Sequence, residues 1–191
     1  MKNFFLTGVS ALAIAAPFNA WAQDAGLAYS VQYGIEYGDF STISADGFNS
    51  EELDFSYRLG FISANVGYDF ASDFFVGASL SYGIGLGDGP DNGVAGVESI
   101  SRGRVVGGYS FGNFDVYAAA GYGEMRASVP GNIAAQDYEG QTYALGMDYA
   151  FSDMGSLSVE LIRDEFDSDE GSKGPTEATG KAVRIATKFE F

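Results

Sequence analysis

The side chains of this chain that could carry chemistry are carboxylates, arginines and lysines, because the sequence contains no histidine and no cysteine. Histidine is the side chain that ordinarily transfers protons near neutral pH, and cysteine supplies nucleophiles and thiolate metal ligands. A catalytic role would therefore rest on a carboxylate pair such as the adjacent Asp164 and Glu165. A solvated position at the rim of a strand explains these two residues better, so the sequence predicts that the protein is not an enzyme.

A second candidate is the acidic segment 167–171, Asp-Ser-Asp-Glu-Gly, which is superficially similar to a calcium-binding loop. The EF-hand pattern requires a bidentate glutamate at its twelfth position, where this chain has Ala178. The glycine of the segment also comes one position early. The sequence therefore predicts no metal site of this type and no resident cofactor.

Six charged residues lie in segments that alternate between apolar and polar side chains, always on the polar face. They are Glu36, Arg104, Asp148, Glu160, Arg184 and Lys188. Charges in a confined interior are costly unless they are paired. If these segments close into a barrel with the polar face inside, we expect a salt-bridge network in its lumen. It would place Arg184 within reach of Glu36 or Asp164, and Lys188 near Glu160.

A repeat in the sequence indicates the strands that would position these charges. Aromatic-x-Phe triplets end at Phe70, Phe111, Phe151 and Phe191, at intervals of 41, 40 and 40 residues. The stretch before each triplet alternates with period two, which is the signature of a β-strand. The first three triplets are each followed by a tight polar turn and another strand, and one more strand precedes the repeat. The sequence therefore predicts eight strands.

Within the second strand the apolar positions change phase. Leu53, Phe55, Tyr57 and Leu59 occupy one face, whereas Ile62, Ala64, Val66 and Tyr68 occupy the other. A β-bulge near Gly60 and Phe61 would reconcile the two halves, because one extra residue reverses the faces.

Longer polar stretches separate the strands at one end of the predicted barrel. They cover residues 38–52, 87–99, 128–140 and 167–180. Short turns at one end and long loops at the other are typical of an up-and-down barrel with two unlike rims. These stretches hold thirteen acidic residues and one basic residue, Lys173. The acidity serves solubility or, alternatively, bridging by divalent cations to the phosphates of lipopolysaccharide.

The direction of the apolar face distinguishes a soluble barrel from a membrane barrel. The opposite face is rich in small residues, such as Gly77, Ser79, Ser81 and Gly83 in the third strand. A soluble barrel gains little from an exterior of glycine, since glycine weakens strands and packs nothing. A narrow membrane lumen must instead hold its side chains without overfilling. The sequence therefore favours a transmembrane β-barrel with its apolar residues facing lipid.

The first 22 residues have the pattern of a cleaved signal peptide. Lys2 precedes a short apolar run, Pro17 ends that run, and Ala20-Trp21-Ala22 matches the small-x-small cleavage pattern. Residues 23–191 then form a single domain with 26 acidic and nine basic residues. That excess of negative charge argues against nucleic-acid binding.

The mature chain resembles the small eight-stranded outer-membrane β-barrel proteins of Gram-negative bacteria, the OmpA-type and porin-like group. The most specific match is the terminal strand, in which Val183, Ile185, Thr187 and Phe189 alternate before the final Phe191. In that family the terminal pattern is the signal read by the barrel-assembly machinery, so the resemblance implies this role for Phe189 and Phe191. Thr187 is a mild departure, because an apolar residue is commoner there.

The resemblance implies a monomer in the outer membrane, in contact with lipid, lipopolysaccharide and the barrel-assembly machinery. The leading hypothesis is a structural protein that contributes to envelope integrity without turnover. Two alternatives stay open: an adhesin or receptor that acts through the acidic loops, and a narrow ion pore.

Overall fold

A computed structural model of the chain describes residues 26–46, 49–86, 96–128, 135–168 and 176–191. It contains eight strands: β1 Leu27–Asp46, β2 Asn49–Asp69, β3 Phe74–Gly85, β4 Gly96–Phe111, β5 Phe114–Ser128, β6 Gln136–Ser152, β7 Gly155–Ser168 and β8 Thr176–Glu190. Each strand pairs antiparallel with its neighbours in sequence, and β8 pairs with β1 to close the barrel. The predicted eight-stranded up-and-down barrel is confirmed. The described part of the chain contains no helix long and apolar enough to cross a bilayer.

The strands continue further into the polar stretches than predicted. The stretch 38–52 is mostly strand, because β1 ends at Asp46 and β2 begins at Asn49. Its residues lose the apolar alternation but keep the backbone pairing, so the pattern alone suggested a loop. At the other end the turns are tight, with Asp73 and Gly112 in the left-handed region at φ 63°.

The predicted bulge near Gly60 and Phe61 is wrong. The β1–β2 register runs without a shift from the Leu27–Tyr68 pair to the Asp46–Asn49 pair. The phase of the apolar residues changes because the lumen itself becomes apolar towards the loop end. Leu59 and Phe61 are buried inside, whereas Ile62 is 57% exposed on the outer face.

Apolar side chains form a belt around the outside of the barrel. Tyrosines lie towards its loop-side border, at Tyr37, Tyr82, Tyr122 and Tyr143. Phenylalanines dominate its turn-side border, at Phe70, Phe74, Phe111, Phe114, Phe151 and Phe189. On β6 the belt extends from Tyr143 to Phe151, which corresponds to a height of about 21 Å at ~3.4 Å per residue and a tilt of roughly 40°. Such a belt matches the hydrocarbon layer of an outer membrane.

Glycines in the lumen make room for aromatic rings. Four inward aromatic residues each lie directly opposite an inward glycine on the next strand: Phe40–Gly180, Tyr57–Gly38, Phe75–Gly108 and Tyr117–Gly146. A Cβ atom added at Gly146 would lie 2.2 Å from the Tyr117 ring, which is too close for any side chain. The small residues therefore accommodate rings in a narrow interior.

Candidate functional site

A cluster of buried charges crosses the lumen near mid-height. We call it the lumen ion cluster and define it as Glu36, Arg102, Arg104, Glu160, Asp164 and Arg184. Every one of these residues is at most 6% exposed. Three arginines face three carboxylates, so the formal charges balance. The even-numbered positions of β1, β4, β7 and β8 point inward, and this alternation places all six side chains in the lumen.

Glu36 is the centre of the cluster. One of its carboxylate oxygens accepts a hydrogen bond from Arg184 Nη2 at 2.7 Å, and the other accepts from Arg102 Nη2 at 2.8 Å. The hydroxyl group of Tyr57 donates to the same carboxylate at 2.8 Å. Glu36 is fully buried, and these charge-assisted bonds compensate for the loss of its hydration.

Arg102 spans the lumen. It projects from β4 and contacts Glu36 on β1 and Asp164 on β7, each three strands away around the barrel. Its Nη2 atom lies 2.7 Å from Asp164 Oδ2, and its Nε atom donates to Oδ1 at 3.0 Å. Arg102 was not among the predicted lumen charges, although the alternation that selected Arg104 places both residues on the same face. The guanidinium group of Arg102 therefore bridges carboxylates on two strands across the lumen.

The remaining contacts continue the cluster towards the turn end. Arg104 Nη1 lies 3.1 Å from Glu160 Oε2, and Arg184 Nη1 lies 3.4 Å from the same oxygen. These two contacts are ion pairs without hydrogen-bond alignment. The Arg184 guanidinium also lies 4.0 Å from the centre of the Phe61 ring, which is a cation–π contact. Arg184 is thereby held from three directions.

Lys188 does not approach Glu160, contrary to the sequence prediction. Its Nζ atom lies 3.0 Å from Asp148 Oδ2 and 2.6 Å from Glu190 Oε1. The register explains the difference, because Glu160 on β7 lies directly opposite Arg184 on β8. Lys188 is four residues closer to the turn end and forms a separate ion pair there.

Apolar side chains close the lumen on the loop side of the ion cluster. We call this group the lumen cap; its large, almost fully buried side chains include Phe40, Leu59, Ile100, Met125, Phe166 and Tyr138. The Phe40 ring centre lies 5.3 Å from that of Tyr57 and 6.0 Å from that of Phe166. The sequence predicted a polar lumen throughout, so the cap is a correction. The cap was not predicted because the expected bulge would have turned Phe55, Tyr57 and Leu59 to the outer face of β2.

The candidate carboxylate pair is separated by the strand geometry. Asp164 points into the lumen and binds Arg102, whereas Glu165 points outward and contacts Arg163 at 2.8 Å. Their carboxylates therefore cannot act on one substrate. Of the acidic segment 167–171, residues 169–171 lie outside the described residues. Among the residues that the structure describes, no group of three or more carboxylates is arranged to hold a metal ion.

The terminal phenylalanines lie at the turn-side rim. Phe189 is on the outer face and stacks on Tyr33 with ring centres 6.0 Å apart. The backbone N–H of Phe191 donates to the carbonyl of Tyr29 at 2.9 Å. The signal segment 1–22 lies outside the described residues, and so does Lys173.

No protein-family model and no curated protein matches the chain. Solved structures do. Ail, the attachment invasion locus protein of Yersinia pestis, matches with a TM-score of 0.55 and 13% identity, over 88% of this chain and 100% of that one. Ail in complex with the heparin analogue sucrose octasulfate matches with a TM-score of 0.50 and 13% identity, over 87% and 99%.

The outer membrane protein OprG of Pseudomonas aeruginosa also matches, with a TM-score of 0.50 and 13% identity, over 87% of this chain and 97% of that one. At this level of identity the likeness concerns the fold. The chain therefore has the fold of the small eight-stranded outer-membrane β-barrels, which its sequence resembles.

Proposed function

We propose that this chain is a structural protein of the bacterial outer membrane that contributes to envelope integrity, with no catalytic turnover and no steady conductance. The observation that carries the proposal is the filled lumen. The ion cluster spans the interior through Arg102, and the cap covers it on the loop side.

The exterior supports the membrane location. Large apolar side chains that a soluble protein would bury are exposed around the whole barrel, for example Leu145 and Val105 at 65% and 69%. Monomeric soluble proteins rarely expose continuous apolar surfaces of this size. In a bilayer the same apolar surface contacts hydrocarbon instead of water, and the closed barrel leaves no unpaired strand edge.

The lumen argues against the narrow ion pore. An eight-stranded barrel has an interior that side chains just fill, and here the filling includes a guanidinium held from two sides. An ion would have to displace Arg102 from both Glu36 and Asp164 and then cross the apolar cap. Breaking buried, paired charges of this kind costs about 3–5 kcal/mol.

The side chains argue against catalysis in the same way. The chain has no histidine, and its candidate pair, Asp164 and Glu165, projects to opposite faces. Each of these carboxylates is held by an arginine rather than poised for proton transfer.

A surface receptor is the second candidate, favoured by the acidity of the loop side. Ail has been solved with a polyanion, the heparin analogue sucrose octasulfate. The polar stretches here are themselves negatively charged, with thirteen acidic residues and Lys173 as the one basic residue among them, so they would repel such a ligand. Their fitting partners are therefore cationic surfaces or lipopolysaccharide phosphates bridged by Mg²⁺ or Ca²⁺.

A deletion strain tests the proposal and separates the two candidates. A structural role predicts increased sensitivity to detergent, restored by the wild-type gene and also by a variant with the acidic loop residues changed to asparagine or glutamine. A receptor role predicts normal detergent resistance and a loss of surface binding that the loop variant does not restore. The second result would overturn the proposed structural function.

The assembly role of the terminal strand is part of the same proposal. Deleting Phe191 should lower the amount of protein in the outer membrane far more than deleting Asn92, a residue of the 87–99 stretch. The reason is that Phe191 completes the terminal pattern read by the assembly machinery in the resembling family. Quantitative immunoblots of outer-membrane fractions measure the effect, and equal amounts of the two variants would contradict it.

A further inference from the structure

The turn-side end of the lumen carries an excess of negative charge. Four carboxylates and one ammonium group lie there at inward-facing strand positions; we call them the turn-side cluster and define it as Asp69, Asp115, Asp148, Lys188 and Glu190. Asp69 is repelled by the like charges of Glu190 and Asp115, and Asp115 by that of Asp148. The single cation of the cluster therefore leaves most of its negative charge uncompensated.

The strand register brings polar side chains of four strands together at this end. Asp115 on β5 lies directly opposite Asp148 on β6. Ser156 on β7 lies directly opposite Lys188 on β8, and it is two residues from the direct partner of Asp148 on the same face. Lys188 Nζ lies 3.0 Å from Asp148 Oδ2 and 2.6 Å from Glu190 Oε1. The oxygen atoms of several strands thus surround one ammonium group.

Two buried oxygen atoms at this place have no hydrogen-bond partner in the described part of the chain. They are Asp148 Oδ1 and Ser156 Oγ, and the two residues are 5% and 6% exposed. A buried oxygen atom without a partner loses its hydration and gains nothing in return. Both side chains point into the lumen beside Lys188. The turn-side cluster therefore lacks a hydrogen-bond donor, and it also lacks positive charge.

We propose that the turn-side cluster binds a primary ammonium group from outside the chain, with Asp148 Oδ1 and Ser156 Oγ as its acceptors. An ammonium group has three donors and no acceptor, so it can serve both oxygen atoms, and its charge offsets the excess of carboxylates. Lys188 shows the same chemistry in place, because two carboxylates hold its Nζ atom. A metal ion fits less well, since no three carboxylates of the described residues converge on one point.

Propylammonium is the probe, because it carries a primary ammonium group on a short chain. The folded full-length barrel in dodecyl maltoside is titrated with its chloride salt, and the NMR shifts of the barrel amide groups measure and locate binding. We expect saturation at one site beside Asp148 and Ser156. Tetramethylammonium has the same charge but no N–H donor, so it should bind at least tenfold more weakly.

The source of the ammonium group is distinguished by a second probe, Nα-acetyl-lysine methylamide. If it binds as propylammonium does, the site accepts a lysine side chain of another protein. If only propylammonium binds, the site is specific for small free amines. Both results support the ammonium site.

Two variants remove the acceptors separately. D148N should weaken propylammonium binding at least tenfold, because a charge-assisted contact is lost. S156A should weaken it about fivefold, the equivalent of one neutral hydrogen bond, and it leaves both contacts of Lys188 in place. The matched controls are D39N, near the loop end of β1, and S63A, a buried inward serine on β2. Both controls should bind propylammonium as the wild type does.

A folded wild-type barrel that shows no saturable binding of propylammonium would overturn the ammonium site, because water alone would then serve the two oxygen atoms. Equal binding by all four variants, or equal binding of tetramethylammonium, would overturn it as well, since general negative charge would then explain the attraction. Heat-modifiable migration on gels shows that each sample is folded. The inference goes beyond the proposed function and does not depend on it, because the deletion strain tests that function separately.

Discussion

The two halves of the lumen lie on the same face of the same eight strands, yet different chemistry fills them. Towards the loop end, Phe40, Leu59 and Phe166 pack as a protein core does. At mid-height, Arg102 and Arg184 bind Glu36 in a layer of balanced charge. A narrow lumen can therefore be closed either by apolar side chains or by paired charges. In this barrel the apolar layer lies on the loop side of the charged layer.

The two layers are expected to fail differently. The ion cluster is stable only while every partner is present, because a buried charge without its partner is very costly. The cap loses stability in proportion to the volume removed, because its contacts are numerous and individually weak. Substitutions in each layer can therefore distinguish them.

Arg102→Ala should have the largest effect. The change leaves Asp164 without its partner and removes one of the two arginines of Glu36, so the free energy of unfolding should fall by about 3–5 kcal/mol. Urea-induced unfolding of the barrel in lipid vesicles measures the change. Arg126→Ala is the control, since its ion pair with Glu98 is exposed and should contribute at most about 1 kcal/mol. A similar loss for both variants would contradict the account of the ion cluster.

Leu59→Ala should have the next largest effect. Leu59 is fully buried in the cap, and its removal leaves a cavity that lowers the free energy of unfolding by about 2–4 kcal/mol. Ile62→Ala is the matched control, because Ile62 faces outward on the same strand. The same unfolding assay applies. If the outward substitution were the more damaging one, the assignment of Leu59 to the lumen would be wrong.

Tyr57→Phe should have the smallest effect. Tyr57 is the residue that connects the two layers. The Tyr57 ring packs on Phe40 in the cap, and its hydroxyl group donates to Glu36 in the ion cluster. Removing the hydroxyl group keeps the ring and should lower the free energy of unfolding by about 1.5–3 kcal/mol, the usual value for a hydrogen bond to a charged group. The test of this origin is a double-mutant cycle with Glu36→Gln. Additive effects would show that the two side chains do not interact.

The barrel was predictable from the sequence because alternation and the 40-residue repeat are local signals. Period-two alternation gives the number of strands, the outward face, and the inward position of Glu36 and Arg184. Register is not local, so the pairing of Lys188 with Asp148 instead of Glu160 could not be read from the chain. It depends on how β7 and β8 align across the whole barrel.

The cap was missed for a different physical reason. Alternation identifies two faces of a strand but does not say how the environment of one face changes along its length. Tyr57 and Leu59 are apolar at positions that point inward, so they break a pattern that assumes a uniformly polar lumen. Arg102 was missed by omission alone, since it lies on the same face as Arg104.

Single-channel recording in planar bilayers tests most directly whether the ion cluster and the cap close the lumen. Pure wild-type protein should show no steady conductance, because an ion would have to part Arg102 from Glu36 and Asp164 and cross the cap. Heat-modifiable migration of the same preparation shows that the barrel is folded. Large, stable and reproducible current steps from such a preparation would contradict the closed lumen and support a pore.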